Sequence, residues 1–93
     1  FQVAQPDEEG EITPLTIPGH VDSLPHHQQK LIRHNWALAA RLDELWILER
    51  SIAADQNLLN SRALADEIRR TIATVEREIR ATTRDILEYY ADF

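Results

Sequence analysis

From His26 to Phe93 the chain contains neither glycine nor proline. Those are the two residues that most readily end or kink a helix, so nothing in this stretch interrupts one. Within it, Ala65, Ile72, Ile79, Ile86 and Phe93 recur every seven residues, and Ile68, Val75, Thr82 and Tyr89 follow each of the first four by three. Such a two-position beat forms a seam along one side of a helix, and the seam must be covered by another helix. The pattern therefore predicts an all-α chain that seeks helical partners.

The first part of the chain reads differently. All four prolines and both glycines precede His26, and so do five of the sixteen acidic residues, Asp7, Glu8, Glu9, Glu11 and Asp22, with no Lys or Arg beside them. Residues 1–23 are predicted to be an extended, acidic, partly disordered arm, with residues 1–11 disordered because they are polar and without periodicity. Residues 12–24 carry Ile12, Leu15, Ile17, Val21 and Leu24 between Pro14, Pro18 and Gly19. Proline forbids a helix there and disfavours a central strand. An extended apolar segment of this kind docks into a groove, on its own helices or on a partner's.

Residues 24–93 are predicted to form a helical hairpin. The first helix covers about 24–54, the turn about 55–61 and the second helix about 61–92. On the first helix Leu24, Leu31, Leu38, Leu45 and Ile52 repeat every seven, flanked by Ile32, Trp36, Ala39, Leu42 and Trp46. At about 100° per residue this apolar sector is roughly 200° wide, about twice what a one-sided surface helix needs. A single neighbouring helix cannot cover it. The size and the width together predict assembly into a coiled-coil or four-helix-bundle arrangement, as a homo-oligomer or within a helical hetero-complex. Asn35 and Glu49 intrude into the sector, each either at its rim or as a buried polar group that fixes register, and Thr82 is the polar member of the second seam. The turn is predicted from Asp55, Gln56, Asn57, Asn60 and Ser61, which are poor inside helices and good at their ends. A change of phase between the two seams at this point favours a turn over one long kinked helix.

Residues that would carry chemistry are scarce. There is no Cys, so neither a disulfide nor a thiolate metal site exists. His20, His26, His27 and His34 include no pair spaced four apart on a helix face, and no cofactor or metal is expected. There is no phosphate-cradling glycine loop and no nucleophile elbow. An enzyme and a small-molecule substrate are not expected. No apolar run approaches the length of a transmembrane helix. The chain begins at Phe1 and contains no Met, which reads as a processed product or an excised fragment. The compartment is not specified.

What remains is interaction. The primary expectation is a non-enzymatic assembly module, a small structural subunit or oligomerisation element. Its interface would be drawn from Leu31, Trp36, Leu38, Leu42, Leu45, Trp46, Ile68, Ile72, Val75, Ile79, Ile86, Tyr89 and Phe93. One alternative is a regulatory binding module in which residues 7–24 of the arm recognise a partner. A second is a nucleic-acid accessory using Arg70, Arg77, Arg80 and Arg84 on the outer face of the second helix. Nucleic acid is disfavoured by the net charge of −6. An acidic protein segment suits the Arg row better, and the arm's own residues 7–11 are one candidate.

Overall fold

The computed structural model describes residues 1–8 and 11–91. In chain order it contains strand β1 (Gln2–Pro6), strand β2 (Ile12–Thr16), a short 3-10 turn (Val21–Ser23), helix α1 (His26–Ala54) and helix α2 (Ser61–Ala91). The two helices pack against each other as an antiparallel hairpin. The prediction of an all-α chain needs correction in one respect: a two-stranded antiparallel sheet lies on the helices. The helices run His26–Ala54 and Ser61–Ala91, where about 24–54 and 61–92 were expected. Phe93, the last seam position, lies outside the described residues.

No glycine is used to close the helical hairpin. The Asp55 carboxylate accepts a hydrogen bond from Asn57 N at 2.9 Å. Asn60 adopts the left-handed conformation, φ 62°, which its short polar side chain tolerates. Its carbonyl then accepts the first bond of α2, from Leu64 N at 3.0 Å. At the other end, α1 begins after Pro25, whose carbonyl accepts from both Gln28 N and Gln29 N at 3.0 Å.

Residues 1–11 were expected to be disordered, and for the described residues among them this is corrected. Ala4 pairs with Pro14 and Pro6 with Ile12 in the sheet register. The ladder bonds Ile17 N to Phe1 O at 2.7 Å and Asp7 N to Glu11 O at 2.8 Å bracket the pairing. Alternation then places odd-numbered residues of β1 in the hydrogen-bonded pairs and even-numbered ones in the others. Both Pro6 and Pro14 fall in the second class, where no N–H is asked of them. The same parity turns the N–H and C=O of Ala4 away from β2 and toward the helices. Polarity alone suggested disorder; the strand is held instead by backbone groups, which composition does not register.

β1 enters the groove between α1 and α2 edge-first, so side chains on both of its faces are covered. Val3 packs with Ile17, Ile32 and Ile86. Ala4 packs with Leu38, Leu42, Ile72, Val75 and Ile79. The wide apolar sector of α1 is therefore covered in part by the chain's own arm. The molecule is long, 54 × 23 × 18 Å. Its radius of gyration of 16.0 Å exceeds the roughly 12 Å of a compact domain of this length. The excess comes from the helical hairpin extending past the sheet.

Candidate interaction surface

The centre line of α1 toward α2 is not the leucine stripe. It is Gln28, Asn35, Leu42 and Glu49, spaced seven apart and all buried. Leu31, Leu45 and Ile52 lie only half-buried beside it, and Leu38 is buried. Three of the four central residues are polar, and each is tied to α2. Gln28 Nε2 donates to Ile86 O at 3.1 Å. Glu49 Oε1 accepts from Arg69 Nε at 2.9 Å and Nη2 at 2.7 Å. Arg69 also reaches Asp66 at 2.9 Å. The hydrogen bond that Arg69 donates to Glu49, followed by the charge of that carboxylate, raises the pKa of the Arg69 guanidinium above its ordinary value.

Asn35 has the densest environment of the three. Its Oδ1 accepts from Ala4 N at 2.8 Å, and its Nδ2 donates to Ala4 O at 3.1 Å. The side-chain amide thus acts toward β1 as a neighbouring strand would. Nδ2 also lies within reach of Thr82 Oγ1 at 3.0 Å and Thr83 Oγ1 at 3.2 Å. Thr83 Oγ1 is 2.6 Å from Ala4 O and 2.9 Å from Ile79 O, and shares its one proton between them. Thr82 Oγ1 donates to Ile79 O at 2.8 Å. Asn35, Thr82 and Thr83 form a buried polar belt between two apolar clusters. Full satisfaction of such a belt is what makes it tolerable and specific. One residue further along α1, Trp36 Nε1 donates to Gln2 O at 2.6 Å, a second tie to β1.

The polar residues singled out in the sequence, Asn35, Glu49 and Thr82, are therefore buried and partnered within the chain. So are the seam residues: Ile72, Val75, Ile79 and Ile86 are buried, with Ile68 partly so. The His27 and Tyr89 rings meet edge to face with centroids 6.2 Å apart. Burial pushes the Tyr90 phenol above its ordinary pKa, with a smaller contribution from Tyr89, and its hydroxyl has no hydrogen-bond partner among the described residues. Gln28 and Thr83 were missed from the sequence. The available signal was the spacing of Gln28, seven before Asn35, which an apolar search passes over.

The Arg row stays on the surface. Arg80 Nη2 donates to the Asp7 carbonyl at 3.2 Å. The row therefore touches the arm, through a backbone oxygen; the Asp7 carboxylate accepts instead from Glu11 N at 2.9 Å. Arg77 turns to Thr74 and Arg84 to Asp85. Arg70 is exposed. No group of acidic, His or Cys side chains that could hold a metal occurs among the described residues. No helix among them is long and apolar enough to cross a membrane.

The uncovered apolar surface has a definite place. Eight large apolar side chains are exposed among the described residues, and six of them, Trp46, Ile47, Leu48, Leu58, Leu59 and Leu64, lie between positions 46 and 64. They surround the end of the helical hairpin that the sheet does not reach. There the groove between the helices stays open beyond Glu11 and Ile12, over Leu42, Trp46, Ile47 and Ile72. The proximal half of the groove holds β1, and beyond Glu11 and Ile12 no strand among the described residues covers the distal half. Compared with family models, curated proteins and solved structures, the chain matches none.

Proposed function

We propose that the chain is a non-enzymatic helical assembly module that docks through the distal half of its helical hairpin. The supporting observation is the concentration of exposed apolar side chains between residues 46 and 64 on a chain that has otherwise closed its own core. Exposed apolar side chains that cluster at one end of a fold and include a tryptophan are a common mark of a protein–protein contact. The seam residues are used inside the chain, so the docking surface of this reading is narrower than the sequence suggested. It retains Trp46, adds Ile47, Leu48 and Leu59, and releases Ile72, Val75, Ile79 and Ile86 to the internal core. Recognition led by residues 7–24 is less well supported, because β2 pairs with β1 and Ile12, Leu15 and Ile17 pack on the chain's own core.

A photo-crosslinking residue at Ile47 of the full chain, in the cell that makes it, tests this reading. An identical probe at Ala37, also exposed on α1, serves as the control. A discrete protein adduct from position 47, absent from position 37, is the expected result. No adduct from position 47, or equal labelling from both, would end the proposal.

A further inference from the structure

The exposed face of α1 near its distal end has an order of residues that matches its own reverse. Trp46 and Ile47 stand at the centre. Asp43 lies three residues before Trp46, and Arg50 three after Ile47. Ala40 lies three before Asp43, and Ala53 three after Arg50. At about 100° per residue, the central four share one side of the helix, and all six are exposed. Resting on the assembly reading above, we propose that the occupant of the open half-groove is a second copy of this chain. Its α1 runs antiparallel across α1 about a two-fold axis between Trp46 and Ile47.

Three features fit this arrangement. Isologous contacts require a self-complementary surface, and here the two-fold sets Asp43 against Arg50 of the second copy, twice. Arg50 Nε donates to Trp46 O at 3.3 Å, which holds its guanidinium along this face. The alanines at either end of the overlap let the two helix backbones approach. Trp46 and Ile47 then bury each other's apolar surface at the axis, where interface anchors concentrate.

The length agrees as well. An overlap from about residue 39 to 54 spans roughly 22 Å at 1.5 Å per residue. The tip of one copy then ends beside Leu38 and Ala39 of the other. Ile12 of the sheet packs on the same cluster. The second copy thus fills the groove from the tip to the point where β1 and β2 begin. Strand addition at the sheet offers a poorer route to self-association. The outer edge of β2 presents its even-numbered residues, and the middle one is Pro14, which has no N–H to give.

Analytical ultracentrifugation of the full chain across concentration, with Asp43→Arg, Arg50→Asp and the double variant, tests the proposal. Each single change sets like charges against each other at two places. It is expected to weaken the dimer about tenfold, since exposed pairs are individually small. The double variant restores opposite charges and returns the dissociation constant to within about threefold of the original. The chain has no native Cys, so Ile47→Cys should form a disulfide dimer under mild oxidation while Ala37→Cys should not. A chain that stays monomeric at about 1 mM would overturn the proposal. A dimer in which the double variant is no better than either single one would overturn this face and register. A monomer whose position 47 crosslinks to a different protein would refute the second copy and leave the assembly reading standing.

Discussion

Asn35→Ala is expected to lower stability by about 3 kcal/mol, a large share of what a chain this size has. The substitution leaves Ala4 N buried without an acceptor and removes one donor from Ala4 O. It also strips Thr82 and Thr83 of their shared neighbour. The loss is measured by denaturant unfolding, and amide exchange at Ala4 shows where it falls. A loss below about 1 kcal/mol would mean that β1 is not held by this amide. Asn35→Asp gives a sharper version because it preserves shape. A carboxylate cannot donate to Ala4 O or to the threonine hydroxyls, and burial disfavours its charge. The introduced group would therefore have a folded-state pKa above its unfolded value of about 3.9. A raised folded pKa means that its contribution is fully present below the unfolded value and is lost as pH rises through the folded one. Relative to the wild-type chain, the variant should be nearly as stable at about pH 3 and much weaker at about pH 7. The opposite slope would contradict the hydrogen-bond pattern.

Ile79→Asp is expected to unfold the chain. Ile79 is fully buried within the cluster of Ala4, Leu38, Leu42, Ile72 and Val75. An unpaired carboxylate there costs more than about 4 kcal/mol, beyond the range of ordinary surface changes. Circular dichroism should show loss of helix at every concentration. Ile79→Val, at about 1 kcal/mol, should remain folded as the control. Were Ile79 an intermolecular contact, the aspartate variant would give a helical monomer instead. That outcome belongs to Ile47→Asp, which touches exposed surface only. The two variants together separate the inside of the chain from its proposed docking face.

The helices were legible because their evidence is periodic. The interval free of Gly and Pro, the 65–93 seam and the cap-forming residues at 55–61 give α1, the turn and α2 with small errors at the ends. The turn was legible without glycine because Asp55 and Asn60 do locally what glycine often does. The sheet was not legible, for two physical reasons. Its first strand alternates little, because edge-first entry covers Val3 on one face and Ala4 on the other. Its anchor is a side-chain amide thirty-one residues away, and a local reading of either segment does not contain that bond.

The width of the apolar sector on α1 pointed to more than one neighbour, and within the chain α1 meets both α2 and the arm. Assembly with a further chain, the other expectation drawn from that width, belongs to the proposed function. Gln28, Asn35 and Glu49 form the central line of packing because each finds a partner on α2 or β1. Hydrophobic periodicity alone does not choose between rim and burial for Asn35 and Glu49 and passes over Gln28, since it measures transfer from water and takes no account of hydrogen bonds made after burial. Trp46 was legible as a large apolar residue and Ile47 was not singled out, and the exposure of both follows from where the sheet stops. That depends on the length of β1 and β2 and on no feature of α1.

The proximal half of the hairpin satisfies itself, and in the proposed function the distal half docks a partner. Amide hydrogen exchange on the full chain at a low and a high concentration tests that division most directly. The expected result is protection of Ala4 and of residues 79–86 that does not change with concentration, together with protection at 43–54 that rises as the chain associates. Equal and unchanging protection along both halves would contradict the account. So would a β1 that becomes protected only when the chain assembles.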